Sequence, residues 1–378
     1  MRRIICILAG VLIIVFALSI FVKPAIILLA RKQLSKIFVD SAVNVADCNF
    51  KPLHLISFSD IEIKRDRIYA IKIKEAGMQY NPLSIIRGNI LKFYLKGSQV
   101  NINLPGKSIS GFSKLLKLNT GKSPFLINSL ELENLGLNIN SKELTLDASV
   151  SSQINLPKQL LNDINLKINS LQTEGLELKD ATLRAGQEIP LGSFYIQQIN
   201  YDKLKIEKIQ SNVKLKDKYL FLDSLSADLL SGKIQGDLSL LIDKIPEYSV
   251  NLKVADMDLD TFVNDFKLNE KLNLSGRLSG VFALEGSGLN FTFLNGDFSS
   301  NAPGGDLTIK DKSYLEKIAR NSGKSLDILV ESFKNYHYNN GMVKLSLQEG
   351  NLIFNIAMEG ETGKRNLAIT LHNFRLRR

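Results

Sequence analysis

The chain has 378 residues, 44% of them hydrophobic and 23% charged, and Lys plus Arg exceed Asp plus Glu by 10. That balance is globular and excludes a disordered or collagen-like chain. Three histidines, two cysteines and no HExxH or CxxC pattern leave no basis for a disulfide framework or a zinc site.

Arg2 and Arg3 precede an uncharged run from Ile4 to Val22, closed by Lys23. A run of that length is enough to cross a bilayer core of about 30 Å. A cleaved signal peptide is the alternative, with Ala17-Leu18-Ser19 as a small-x-small site. The apolar character continues past that site through Ile20, Phe21 and Val22, which favours an uncleaved anchor at 1–23. Cys6 lies inside the run and Cys48 outside it, so the two do not pair. Residues 24–45, opening "PAIILLARKQLSKIFV", place apolar residues at helical spacing with basic residues between them. They read as an amphipathic helix, either lying on the membrane or capping the following domain.

From Asn49 the period changes from 3.6 to 2. "HLISFSDIEI", "YAIKIKEAGMQY", "SLELENLGLNI", "ELTLDASV", "YLFLDSLSADL" and "YSVNLKVADMDL" alternate apolar and polar residues, as half-buried strands do. Their close spacing, without intervening helices, predicts antiparallel pairing. In Leu130-Leu132-Leu135, Leu204-Ile206-Ile209 and Leu220-Leu222-Leu225 an apolar pair is followed by a step of three, which marks a bulge or tight turn. Short helices are expected at 81–88, 108–117 and 259–266, and a pair broken near Gly323 between 311 and 336. "NAPGGD" at 301–306 is the best boundary within the β region, giving a repetitive β domain at 46–300 and a C-terminal β region with two helices at 301–378.

Little of this is chemistry. Gly-Lys-Ser occurs at 106–108, 121–123 and 323–325, but Asn101, Leu116 and Ile318 stand where a P-loop needs its first Gly. His337 in "NYHYNN" reads as a packing residue, and Asp256, Asp258 and Asp260 read as the wet side of a strand. No catalytic residue, metal site or cofactor is expected. Lysines such as Lys72, Lys205 and Lys253 are scattered along wet faces without interleaved aromatics, which argues against nucleic acid. The cluster Arg375, Arg377 and Arg378 suits anionic lipid head groups better, or solubility alone.

What remains is the dry face of a long sheet with little helix to cover it. Such a face packs on a second sheet, closes into a barrel or meets an apolar ligand. Roughly twenty strands at about 4.8 Å each make a strip on the order of 100 Å long. "LSGRLSGVFALEGSG" at 274–288 adds glycines at Gly276, Gly280 and Gly286 of its apolar face, which permit bending.

The anchor, the helix, the "SDIEI" step at Ser59 to Ile63, "YNPLSIIRGNILKFYLKGSQVNINL" and the strands "LSGKIQGDLSL" and "LSGRLSGVFALEGSG" together resemble the AsmA-like superfamily of bacterial envelope proteins. "GGDLTIKD", "VESFKNYHYNNGMVKLSLQEGNLIFNIAMEG" and "LAITLHNF" resemble the C-terminal region of YdbH-type members, although those are considerably longer. The resemblance implies a mainly β fold, in which one N-terminal transmembrane helix precedes an elongated, curved, solenoid-like antiparallel sheet forming an open groove. It implies an inner-membrane, single-pass protein with its β-rich body in the periplasm, passing phospholipids between membranes without catalysis. The expected groove residues are Leu144, Leu146, Val250, Leu252, Val254, Leu278, Phe282 and Leu284. Two alternatives stand beside this: a scaffold that binds outer-membrane or other envelope proteins through sheet edges, and a closed periplasmic domain binding a small solute.

Overall fold

The computed structural model describes residues 22–104 and 126–372, other than 52, 159, 188, 190, 202, 289, 312, 314, 317, 318 and 321–324. The uncharged run from Ile4 lies outside the described residues except for Val22. So do the helix expected at 108–117, the Gly-Lys-Ser triplets at 106–108 and 121–123, most of the third triplet, and Arg375, Arg377 and Arg378. Among the described residues no helix is long and apolar enough to cross a membrane. The chain divides into two compact units, Met1–Glu174 and Gly175–Arg378.

In the first unit a helix at 22–37 (α1) leads into β1 (Ala42–Lys51), β2 (Leu55–Arg65) and β3 (Tyr69–Gln79). After the short helix α2 (Pro82–Ile86) come β4 (Asn89–Leu104), β5 (Leu126–Ser141), β6 (Leu144–Asn155) and β7 (Leu160–Thr173). β1 starts at Ala42 because Val43 and Val45 already alternate with Asn44 and Ala46, and β-branched residues favour a strand. Each strand pairs with the next, antiparallel except for β4 and β5, which run parallel. The expectation of a wholly antiparallel sheet fails at this one pair. β5 begins beside Asn89, at the far end of β4 from Leu104. Ile27 and Leu34 of α1, with Phe38 after it, pack on a core of Val45, Ile61, Ile63 and Tyr69. The helix therefore caps the sheet, with Leu28 and Leu29 exposed on its outer side.

In the second unit β8 (Leu176–Gly186), β9 (Gly192–Tyr201), β10 (Leu204–Lys216), β11 (Tyr219–Leu229), β12 (Gly232–Leu241) and β13 (Glu247–Asp258) pair antiparallel in sequence order. The sheet continues through β15 (Arg277–Ser287), β16 (Asn290–Ser300), β19 (Asn340–Gln348), β20 (Asn351–Gly360) and β21 (Gly363–Leu371). A second sheet of three strands joins β14 (Leu272–Leu274), β17 (Gly305–Ile309) and β18 (Tyr336–Tyr338). Helices α3 (Leu259–Asp265) and α4 (Leu326–Ser332) fall where short helices were expected. Asp258 caps α3 by accepting from Thr261 N at 2.9 Å, and Asp260 lies in its first turn. The three aspartates read as one strand face are thus a bulge residue, a helix cap and a helix residue.

The steps of three resolve as bulges. The register shifts between Leu132 and Leu135, and between Leu222 and Leu225, with two residues opposing one. A third shift separates Val254 from Met257. At each the extra residue is left-handed: Asn134, Ser224 and Asp256 have φ of 55°, 56° and 56°. Small polar residues tolerate this conformation best. The single residue opposite accepts the orphaned N–H: Ser151 for Asn134 at 2.9 Å, Asp237 for Ser224 at 3.1 Å, Ser279 for Asp256 at 3.0 Å. One extra residue keeps Leu132 and Leu135 on the same face, so the dry face survives the irregularity. Replacing Ser151 with Ala should cost about 1 kcal/mol in denaturant unfolding, the usual effect of orphaning such a donor, while Asn134→Gly should cost far less.

Candidate functional site

Register decides which side chains share a face. On β13 and β15 the cross-strand pairs are Tyr248 with Gly286, Val250 with Leu284, Leu252 with Phe282 and Val254 with Gly280. Opposite β13, Leu240, Leu238, Gly236 and Ile234 of β12 face the same way. Beyond β15 the row passes through Leu294, Gly296 and Phe298 to Val343 and Leu345, then to Ile356 and Phe354. In the other direction it runs through Leu220 and Leu222 to Leu215 and Val213. Across these strands the face carries no charge, while Lys233, Asp237, Asn251 and Lys253 stand on the reverse. Strict alternation in every strand produces this segregation, since successive side chains point to opposite faces.

The face is bent. Cα atoms of β8 and β10 come within 8 Å although β9 lies between them. Two flat strand spacings would hold them about 9.6 Å apart. Glycines allow neighbouring strands and rings to close in. A Cβ on Gly280 would sit 2.6 Å from Phe298 Cα and 2.7 Å from its ring, and one on Gly286 would collide with the Tyr248 ring. The ring of each cross-strand partner thus lies over the bare position.

Six of the expected groove residues come together here. Val250, Leu252, Phe282 and Leu284 are half-buried, so part of each side chain remains accessible, whereas Val254 and Leu278 are buried. Leu144 and Leu146 lie elsewhere, on β6 of the first unit, packed against the core that α1 covers. Gly280 and Gly286 belong to β15, but Gly276 sits in the link between β14 and β15 with φ of 110°. A side chain there would meet Tyr338 Oη at 2.7 Å and Gly304 O at 2.8 Å, so the stretch read as one strand breaks at this bend.

At its C-terminal end the face is roofed. Leu278, Val343, Ile356 and Leu367 form the floor of a cavity of about 490 Å³, and Leu272, Leu274, Leu307, Ile309 and Tyr338 of the small sheet form its other wall. That volume is in the range of ligand pockets. Leu259 closes one side, and Lys271, Asp311 and Ser313 stand at the lining's polar positions. Of the expected residues only Leu278 reaches this cavity. Nothing local in the sequence pairs Leu274, Leu307 and Tyr336 across such separations. His337, expected to pack, is exposed and contacts Asp306 Oδ1 through Nδ1 at 2.9 Å. Its neighbours Tyr336 and Tyr338 take the buried side of β18.

Tyr338 donates to Ser275 O at 2.6 Å, and burial, followed by the nearby Asp306 carboxylate, pushes its hydroxyl up to about 12. Burial and its hydrogen bond to Glu75 push Tyr94 up to about 12 as well. A folded pKa raised above the unfolded value of about 10 gives stability that is complete below pH 10 and lost as pH rises towards 12. The thermal midpoint should fall across that window, and Tyr338→Phe should fall less steeply.

The arrangement defines a class: an amphipathic β-sheet protein whose apolar face stays accessible along part of its length and is roofed into a cavity at one end. A family model described as YdbH-like, intermembrane phospholipid transport protein YdbH, matches residues 111–366. That is more than half of the chain, which therefore belongs to the YdbH-like family. No curated protein and no solved structure matches it.

Proposed function

We propose that the chain holds phospholipid acyl chains against the apolar face of the second unit and passes them along it between two membranes, with no chemical step. The observation that carries this is the uncharged row through Val250–Leu284 and Leu252–Phe282, which stays half-buried instead of sealed. A contiguous, accessible apolar surface of this kind marks an interaction site. The family's description as an intermembrane phospholipid transport protein supports lipid as the occupant.

In this reading residues 1–23 anchor the chain in the inner membrane and place the β-rich body in the periplasm. The domain at 46–300 carries most of the conducting face, and 301–378 extends it through β19 and β20 and closes its end over the 490 Å³ cavity. Leu144 and Leu146 would serve only where α1 leaves them uncovered. The test is transfer of a labelled phospholipid from donor to acceptor vesicles by the purified full-length chain. Acceleration that saturates with protein supports the reading, and transfer no faster than without protein refutes it.

A further inference from the structure

Turns at one end of the second unit expose Leu191, Ile242 and Ile245 beside the acidic Asp217 and Asp243, but one end of the first unit exposes its apolar residues further. The register brings four connections to it: Lys51 pairs with Leu55, Leu55 with Gln79, Asn89 with Leu126, and Asn155 with Leu160. Backbone hydrogen bonds from Tyr80 N to His54 O, Leu126 N to Gly88 O and Leu156 N to Asn128 O tie the connections together. On this rim Leu53, Leu83, Ile86 and Leu126 are 71%, 70%, 81% and 72% exposed, with Leu156 beside them at 38%. Large apolar side chains held in water on adjoining turns are costly unless something covers them.

Among the described residues, the charges on the turns of this rim have one sign. Residues 51–55, 79–89, 126–129 and 155–160 contain no Asp or Glu, and Lys51, Arg87 and Lys158 are exposed among them, while Glu131 and Asp163 flank Gln153 further along the strands. The opposite end of the same sheet carries both signs, Asp40, Asp66, Glu143 and Glu174 beside Arg65, Arg67 and Lys142, and among the described residues its exposed large apolar side chains are Ile37 and Val39 at 37% each. Helix α1 adds direction. Lys23 pairs with Asp47 at 2.8 Å, while the helix's C-terminal end leads into Ala42 at the opposite end of β1. α1 therefore runs antiparallel to β1, and its N-terminus points towards the apolar rim.

We infer that this rim, built from the β1–β2 turn, α2, the start of β5 and the β6–β7 turn, docks on the surface of an anionic phospholipid bilayer. Leu53, Leu83 and Ile86 enter the interface, and Lys51, Arg87 and Lys158 meet the head groups, the combination that binds such surfaces. The docking rests on the lipid-transport reading and adds to it a place where the sheet meets its membrane.

The chain has no Trp, so a single introduced Trp reports its own position. The full-length chain is reconstituted in phosphatidylglycerol–phosphatidylethanolamine vesicles with or without brominated acyl chains, bearing Ile86→Trp, Lys142→Trp or Phe282→Trp. Bromine should quench Ile86→Trp at least about twofold with a blue-shifted emission, and leave Lys142→Trp, at the opposite end, unchanged. Equal emission from the two ends overturns the docking. So does crosslinking of Ile86 to a second copy of the chain in place of lipid. Quenching of Phe282→Trp without Ile86→Trp defeats the rim and spares the conducting face. Quenching of Ile86→Trp alone keeps the docking and defeats the conducting face.

Discussion

Replacing Leu252 and Phe282 together with Asp is expected to cut phospholipid transfer by at least about 100-fold while the chain remains folded. The two side chains face each other across β13 and β15 in the accessible part of the apolar row. A carboxylate in a hydrocarbon path costs roughly 2.5–3.5 kcal/mol, so two of them make lipid occupancy there very unfavourable. Both positions are half-buried, so the new carboxylates can turn towards water, and the cost to folding should stay within about 1–3 kcal/mol. Lys253→Asp, one residue away on the reverse face, should leave transfer unchanged. Circular dichroism and a denaturant midpoint taken alongside the transfer rate separate the two effects. A variant that simply unfolds would mean that Leu252 and Phe282 are sealed core.

Gly280→Val should instead act on folding, at a cost of about 3 kcal/mol. Gly280 pairs with both Val254 and Phe298, and an added Cβ meets the Asp297 carbonyl and the Phe298 backbone and ring. Relief needs β16 to move away from β15, and overpacking of that kind costs about 1–3 kcal/mol or more. Gly175→Ala is the control. A Cβ there meets nothing within 4 Å, so only its φ of 80° resists, at about 1–2 kcal/mol. Similar losses at both sites would mean that the close approach of β15 and β16 contributes nothing to stability.

Much of the fold was legible because alternation is a local signal. Each quoted strand, helices α2 and α3, and the bulges at Leu132/Leu135 and Leu222/Leu225 follow from residues within a few positions of one another. What the bulges need was not legible: Ser151, Asp237 and Ser279 cap residues on other strands, and only register reveals them. The parallel β4–β5 pair was hidden for the same reason, since alternation carries no direction. The shared face of Val250, Leu252, Phe282 and Leu284 follows from pattern, while the cavity wall of Leu307, Ile309 and Tyr338 depends on a separate small sheet. The glycines of 274–288 were read as aids to bending. Gly280 and Gly286 make room for aromatic partners, and Gly276 ends the strand.

The central claim is that the apolar face of the second unit carries lipid. A photo-crosslinking amino acid at Leu252 and, separately, at Lys253 tests it in living cells, because the two residues point to opposite faces of β13. Phospholipid adducts at Leu252 and none at Lys253 are the predicted result. Protein adducts alone at Leu252, or equal lipid labelling at both positions, would contradict it.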